Sequence, residues 1–159
     1  MKTLIRYAGG KTKAIKHITP FIEAYDKIIS PFLGGGSLEV YWAGKLNKEV
    51  LGYDVFDMLV NYWNILLNSP KELSKVLSTI PATKEEYKRI KEILMTLDHT
   101  QEMLKDWKTD YYKRENIIEL ENITKAAYYY FNHNCSYGPG YLGWGSSVYL
   151  KQDLESSHF

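Results

Sequence analysis

The sequence predicts an α/β fold with a doubly wound parallel sheet that carries a helical insertion. Three observations lead there. Ile28-Ile29-Ser30 ends at Pro31, Gly34-Gly35-Gly36 follow, and an apolar-periodic segment begins at once, the pattern of a strand feeding a tight turn into a helix. Val50-Leu51-Gly52-Tyr53 is a second short strand candidate and ends at Asp54. A carboxylate about 20 residues beyond a glycine turn, at the tip of the next strand, is placed to accept hydrogen bonds from a ribose. Between Lys71 and Lys125 the chain is charged, mixed in sign and free of β-branched strand runs, which reads as helices inserted into the α/β unit.

Taken in order, Leu4 to Lys13 reads as a loop, followed by a helix through about Phe21. The strand near Ile28 and the glycine turn lead to a helix over Leu38 to Lys45, a strand over Glu49 to Asp54 and a helix over Met58 to Asn68. This β-α-β-α order places a ligand at the carboxyl ends of the strands. Asn68-Ser69-Pro70 breaks the pattern. Helices are expected over Glu72 to Ile80 and Glu85 to Leu97, with a less regular piece around Trp107 and a further helix from Ile117 to Asn132. The stretch from Asn132 to Ser147 is polar, aromatic and glycine-rich at once, suited to stacking on planar groups. The tail from Val148 to Phe159 begins as a possible strand. The expected organisation is an α/β unit over 1–70, a helical insertion over 71–125, and a helix with an aromatic loop over 126–159.

Composition narrows the function classes. With 159 residues the chain is one ordinary domain, and a net charge of +1 announces no global nucleic-acid field. The basic side chains Lys2, Arg6, Lys11, Lys13 and Lys16 nevertheless precede the first acid, Glu23. A single cysteine, Cys135, excludes an internal disulfide and fits a reducing compartment. His17, His99, His133 and His158 are scattered without ligand spacing, so no metal is expected. No apolar run has the length of a membrane span, and an intracellular protein without a membrane partner is expected.

Two phosphate-binding readings fail on single residues. Gly10-Lys11-Thr12 lacks the P-loop glycine five positions earlier, where Ile5 stands. A dinucleotide fingerprint starting at Gly34 would need glycine at position 39, and Glu39 there would repel a pyrophosphate.

Several segments together resemble the Dam-like, D12-class N6-adenine DNA methyltransferases. Arg6-Tyr7-Ala8-Gly9-Gly10-Lys11 resembles their opening K-W-A-G-G-K, and Pro31-Phe32-Leu33-Gly34-Gly35-Gly36-Ser37 their E-P-F-x-G-x-G-S turn. Tyr53-Asp54-Val55-Phe56-Asp57 resembles the acidic strand end with its following helix. Phe131-Asn132-His133-Asn134-Cys135-Ser136-Tyr137-Gly138 resembles the L-N-R-x-C-x-N-G segment. The order matches over nearly the whole chain.

The resemblance implies an incomplete Rossmann-like methyltransferase fold, S-adenosyl-L-methionine as cofactor and double-stranded DNA as substrate. Tyr7, Ala8, Gly9, Gly10 and Lys11 would meet the methionine end, with Lys11 near its carboxylate. Phe32, Gly34, Gly36 and Ser37 would form the floor, Asp54 would hold the ribose and Val55 would lie against adenine. Asn132, His133, Asn134 and Tyr137 would meet DNA, and the insertion over 71–125 corresponds to target-recognition helices. Tyr7 replaces the family's tryptophan, and Ser30 stands where the family usually has glutamate, which removes a charge from the site. The family transfers its methyl group through a D-P-P-Y-type tetrapeptide, whose aromatic stacks on a flipped-out adenine. Here Pro20, Pro31, Pro70, Pro81 and Pro139 are never adjacent, so no catalytic residue is assigned. The expectation is an enzyme truncated before that motif and inactive alone, or one whose catalytic half a second chain supplies. The other reading is a non-catalytic cofactor- or DNA-binding subunit derived from such an enzyme.

Overall fold

The computed structural model describes residues 4–97, 119–138 and 140–151. The chain forms two compact units, 1–60 and 61–159, each with its own core. Strand β1 (Lys27–Ser30) and strand β2 (Glu49–Gly52) pair in parallel, Lys27 opposite Glu49 and Ser30 opposite Gly52. Parallel strands need a crossover connection. Here it is the glycine turn and helix α2 (Ser37–Leu46), followed by Asn47, whose φ of 53° closes the helix in the left-handed region. Trp42 of α2 is buried and donates its indole N–H to Thr19 Oγ1 at 3.2 Å.

The first helical segment is shorter than the sequence suggests. Helix α1 covers only Ile15–Ile18, between 3-10 turns at Thr12–Ala14 and Thr19–Phe21. Pro20 explains the stop, having no N–H for a bond four residues back and a ring that crowds the preceding turn. The second strand is also shorter than Glu49 to Asp54. Beyond Gly52, Tyr53 donates its N–H to Ser30 O (2.7 Å) and accepts from Leu33 N–H (2.8 Å). The backbone thus turns from the strand ladder to the glycine turn.

Pleating alternates the sheet's faces. Ile28 is buried and Val50 half-buried on one face, while Ile29 and Leu51, paired across the ladder, are exposed on the other.

Helix α3 (Asp57–Asn68) runs across the boundary of the units, burying Met58 and Leu59 before it and Tyr62 and Trp63 after it. In the second unit, α4 (Pro70–Ser78) starts with proline at its first position, where a missing N–H costs nothing. Helix α5 (Lys84–Met95) starts at Thr83, whose hydroxyl accepts the N–H of Glu86 at 3.2 Å. Both pack on α6 (Asn122–Cys135). The core there is Leu73, Tyr87, Ile90, Leu94, Ala126, Ala127, Tyr129 and Phe131. Tyr62 stacks on Tyr130 at 5.5 Å between ring centroids.

Of the tail, Leu150 is buried and Lys151 bridges to Thr83. The expected piece around Trp107 and the rest of the tail lie outside the described residues.

Candidate functional site

In the first unit, a cleft of about 510 Å³ opens where the Tyr7-to-Lys11 loop meets the glycine turn. That volume lies in the range of small-molecule sites. Gly9, Gly34 and Gly36 all take positive φ (75°, 49° and 63°), the region a side chain disfavours. Gly36 is the residue before the first turn of α2, so the turn delivers the helix N-terminus to the cleft.

Gly35 is there for a different reason. A Cβ on it would stand 2.6 Å from Tyr7 Cβ, and one on Gly34 would stand 3.2 Å from the edge of the Tyr7 ring. The aromatic of the first loop therefore lies directly on the bare backbone of the turn. Burial pushes the Tyr7 hydroxyl up, and the Asp54 carboxylate adds to the shift.

Asp54 fastens the turn from the other side. Its Oδ2 accepts the Gly34 N–H at 2.9 Å and its Oδ1 the Phe56 N–H at 3.1 Å. Each carboxylate oxygen keeps a further lone pair for a ligand. Lys11 donates to Gly9 O at 2.7 Å on the exposed lip. The cleft is lined by every residue expected to hold the cofactor except Val55, which is 95% exposed beside Asp54.

Glu39 and Trp42 also line the cleft, beyond the residues expected to hold the cofactor. Ser30 donates its hydroxyl to Glu39 Oε1, and both line the wall with Trp42. Ser37 is 5% exposed, and its buried Oγ has no hydrogen-bond partner among the described residues. A buried hydroxyl without a partner costs about 1–3 kcal/mol. Ser37→Ala is expected to leave the fold's stability unchanged or raise it by up to about 1 kcal/mol, as removal of an unsatisfied buried group does. The same change should weaken ligand binding; thermal melts with and without ligand check both halves.

In the second unit, the residues expected to meet DNA divide into buried and exposed ones. Asn132 is fully buried, and its Oδ1 accepts the Leu142 N–H at 2.8 Å. His133 is buried with its ring 5.5 Å from Tyr129. Asn134 is half-buried and donates to Tyr130 O at 2.9 Å. The Asn132 bond ties the loop after α6 back to the helix. Tyr137 is 81% exposed, and its N–H reaches Trp144 O at 2.6 Å beside an antiparallel bridge between Ser136 and Gly145.

Trp144 is as exposed as Tyr137, and sequence reasoning did not single it out. The Tyr87 hydroxyl (2.9 Å) and Lys91 Nζ (3.2 Å) both donate to Gly143 O and prop the loop from α5. Lys91 Nζ also lies 5.9 Å from the centre of the Trp144 ring. Burial pushes the Tyr87 hydroxyl up to about 12, with Cys135 adding to the shift, so it remains a donor at neutral pH.

Among the described residues no group of three or more His, Cys, Asp or Glu could hold a metal ion, and no helix is long and apolar enough to cross a membrane. Residues 7–139 match the model of the D12 class N6 adenine-specific DNA methyltransferase family. No curated protein and no solved structure matches the chain.

Proposed function

Since the chain belongs to the D12 class N6 adenine-specific DNA methyltransferase family, we propose that its cleft holds S-adenosyl-L-methionine and that its aromatic loop meets double-stranded DNA. The observation that carries this is the convergence of Tyr7–Lys11, the glycine turn and Asp54 on one cleft. The residues suit a phosphate-free adenosine ligand. Asp54 is the acceptor for ribose hydroxyls, and Ser37 Oγ offers a polar group at the cleft. Tyr7 packs beside the methionine end, Lys11 faces its carboxylate, and Phe32 and Val55 offer apolar surface to the adenosine. When bound, the cofactor supplies a methyl group activated on a sulfonium. Titration calorimetry with S-adenosylmethionine tests the reading, and absence of binding would overturn it.

The sheet supports a Rossmann-like fold that these strands only begin. Parallel sheets are ordinarily covered on both faces, whereas Ile29 is 63% exposed and its partner Leu51 is exposed beside it. We take DNA methylation to need a D-P-P-Y-type segment, which these residues do not contain. Purified alone, the chain is expected to bind cofactor and transfer no labelled methyl group to DNA; incorporation by homogeneous protein would contradict this. A second reading is a non-catalytic cofactor- or DNA-binding subunit. Mixing with a chain that carries the tetrapeptide separates them, since only the split enzyme gains activity.

For DNA, Tyr137 and Trp144 supply the stacking surface and the buried Asn132 and His133 its support. Stacking of a base on an aromatic is worth about 1–3 kcal/mol. Trp144→Ala should therefore weaken duplex binding by about 5- to 150-fold without lowering the melting temperature. Fluorescence anisotropy alongside a melt tests this, and unchanged affinity would remove the loop from the DNA surface.

A further inference from the structure

We propose that Glu39, aimed by Ser30, receives the ammonium group of the cofactor's amino-acid end and sets the cleft's preference for cationic over phosphorylated ligands. This rests on reading the cleft as a cofactor site. Glu39 is the third residue of α2 and 9% exposed. Among the described residues its hydrogen-bond partner is the neutral Ser30 hydroxyl, and no lysine or arginine pairs with it. A buried carboxylate is costly unless a cation or several donors compensate it. The positive end of α2 offsets part of that cost, and the remaining lone pairs stay available at the cleft wall.

The placement also reverses an expected preference. A glycine turn running into a helix N-terminus is ordinarily an anion site, because free N–H groups and the helix dipole both favour negative charge. A carboxylate in the first turn cancels that field where a phosphate would sit. The wall then selects a cation. Lys11, exposed on the lip, carries the opposite charge, so the same cleft offers one group to each end of a zwitterion. Ser30, where the sequence departs from the family's glutamate, is the residue that holds Glu39. The carboxylate lacking at position 30 enters the site from position 39.

The test is calorimetric titration of the wild-type chain, Glu39→Gln and Ser30→Ala with three ligands. S-adenosylmethionine and S-adenosylhomocysteine both carry the ammonium; 5′-methylthioadenosine keeps the adenosine and the sulfur but lacks the amino-acid end. Glu39→Gln is expected to weaken the first two by about 10- to 100-fold, the scale of a charge-assisted hydrogen bond, while methylthioadenosine changes by less than about twofold. Ser30→Ala, which keeps the charge and frees its position, should fall between wild type and Glu39→Gln. Circular dichroism melts establish that the variants fold. Unchanged S-adenosylmethionine affinity in Glu39→Gln overturns the proposal and leaves the cofactor reading standing. Equal loss for all three ligands overturns it too, because the damage would then be general. If the wild-type chain binds none of the three, the cofactor reading fails and the proposal falls with it.

Discussion

Asp54→Ala is expected to weaken S-adenosylmethionine binding by about 100-fold and to cost about 3–6 kcal/mol of stability in the first unit, the size of two lost bonds to a charged group. Two effects are folded together in that number. Asp54 accepts from Gly34 N–H and Phe56 N–H, so its removal unfastens the glycine turn as well as any ribose contact. A cycle with a cofactor analogue lacking both ribose hydroxyls separates the two. If the carboxylate grips the sugar, removing the hydroxyls weakens binding to the wild-type chain and has almost no further effect on Asp54→Ala, as coupled partners behave. If the two losses simply add, the aspartate acts on the turn alone. Unchanged affinity for the intact cofactor in Asp54→Ala would defeat the assignment outright.

The parts of this site legible in the sequence are those dictated by backbone chemistry. Pro31 and the three glycines can only punctuate, so the strand before them and the helix after them were readable, as was the carboxylate at the end of the next strand. The Ser30–Glu39 pair was not, since nine residues and an irregular turn separate its members and their meeting depends on how that turn folds. Glu39 was visible as an obstacle to phosphate, but its burial was not. Tyr7 lying on Gly35 is hidden for the same reason, because nothing in either segment's local pattern specifies the other.

The loop after α6 teaches a different lesson. The run Tyr128-Tyr129-Tyr130-Phe131-Asn132-His133 carries aromatics on every side of a helix, and periodicity then points to no single face. The signal that could have assigned it is the spacing of the small and planar residues Ala126, Tyr129 and His133, three and four apart, which share a stripe. All three are buried. Read that way, Asn132 and His133 fall among the buried positions, and the exposed ones are Tyr137 and Trp144. The hairpin-like closure between Ser136 and Gly145 is accompanied by Tyr87 and Lys91 donating to Gly143 O, and no local motif announces that contact.

Gly35→Val is the substitution expected to disturb the first unit most without touching a charge. The new Cβ would meet Tyr7 Cβ at 2.6 Å, well inside contact distance, and its methyl groups would press further into the ring. Overpacking of this kind costs about 1–3 kcal/mol, and here the strain has a single release, displacement of Tyr7 from the turn. Cofactor affinity should fall together with stability, because the displaced ring no longer seals the methionine end. The diagnosis is a double substitution. Tyr7→Gly removes the colliding Cβ, so Gly35→Val added to Tyr7→Gly should be nearly silent in urea denaturation, although each change alone is damaging. Strict additivity of the two would mean that valine is excluded by the turn's own backbone, and that Tyr7 reaches the glycines only by proximity.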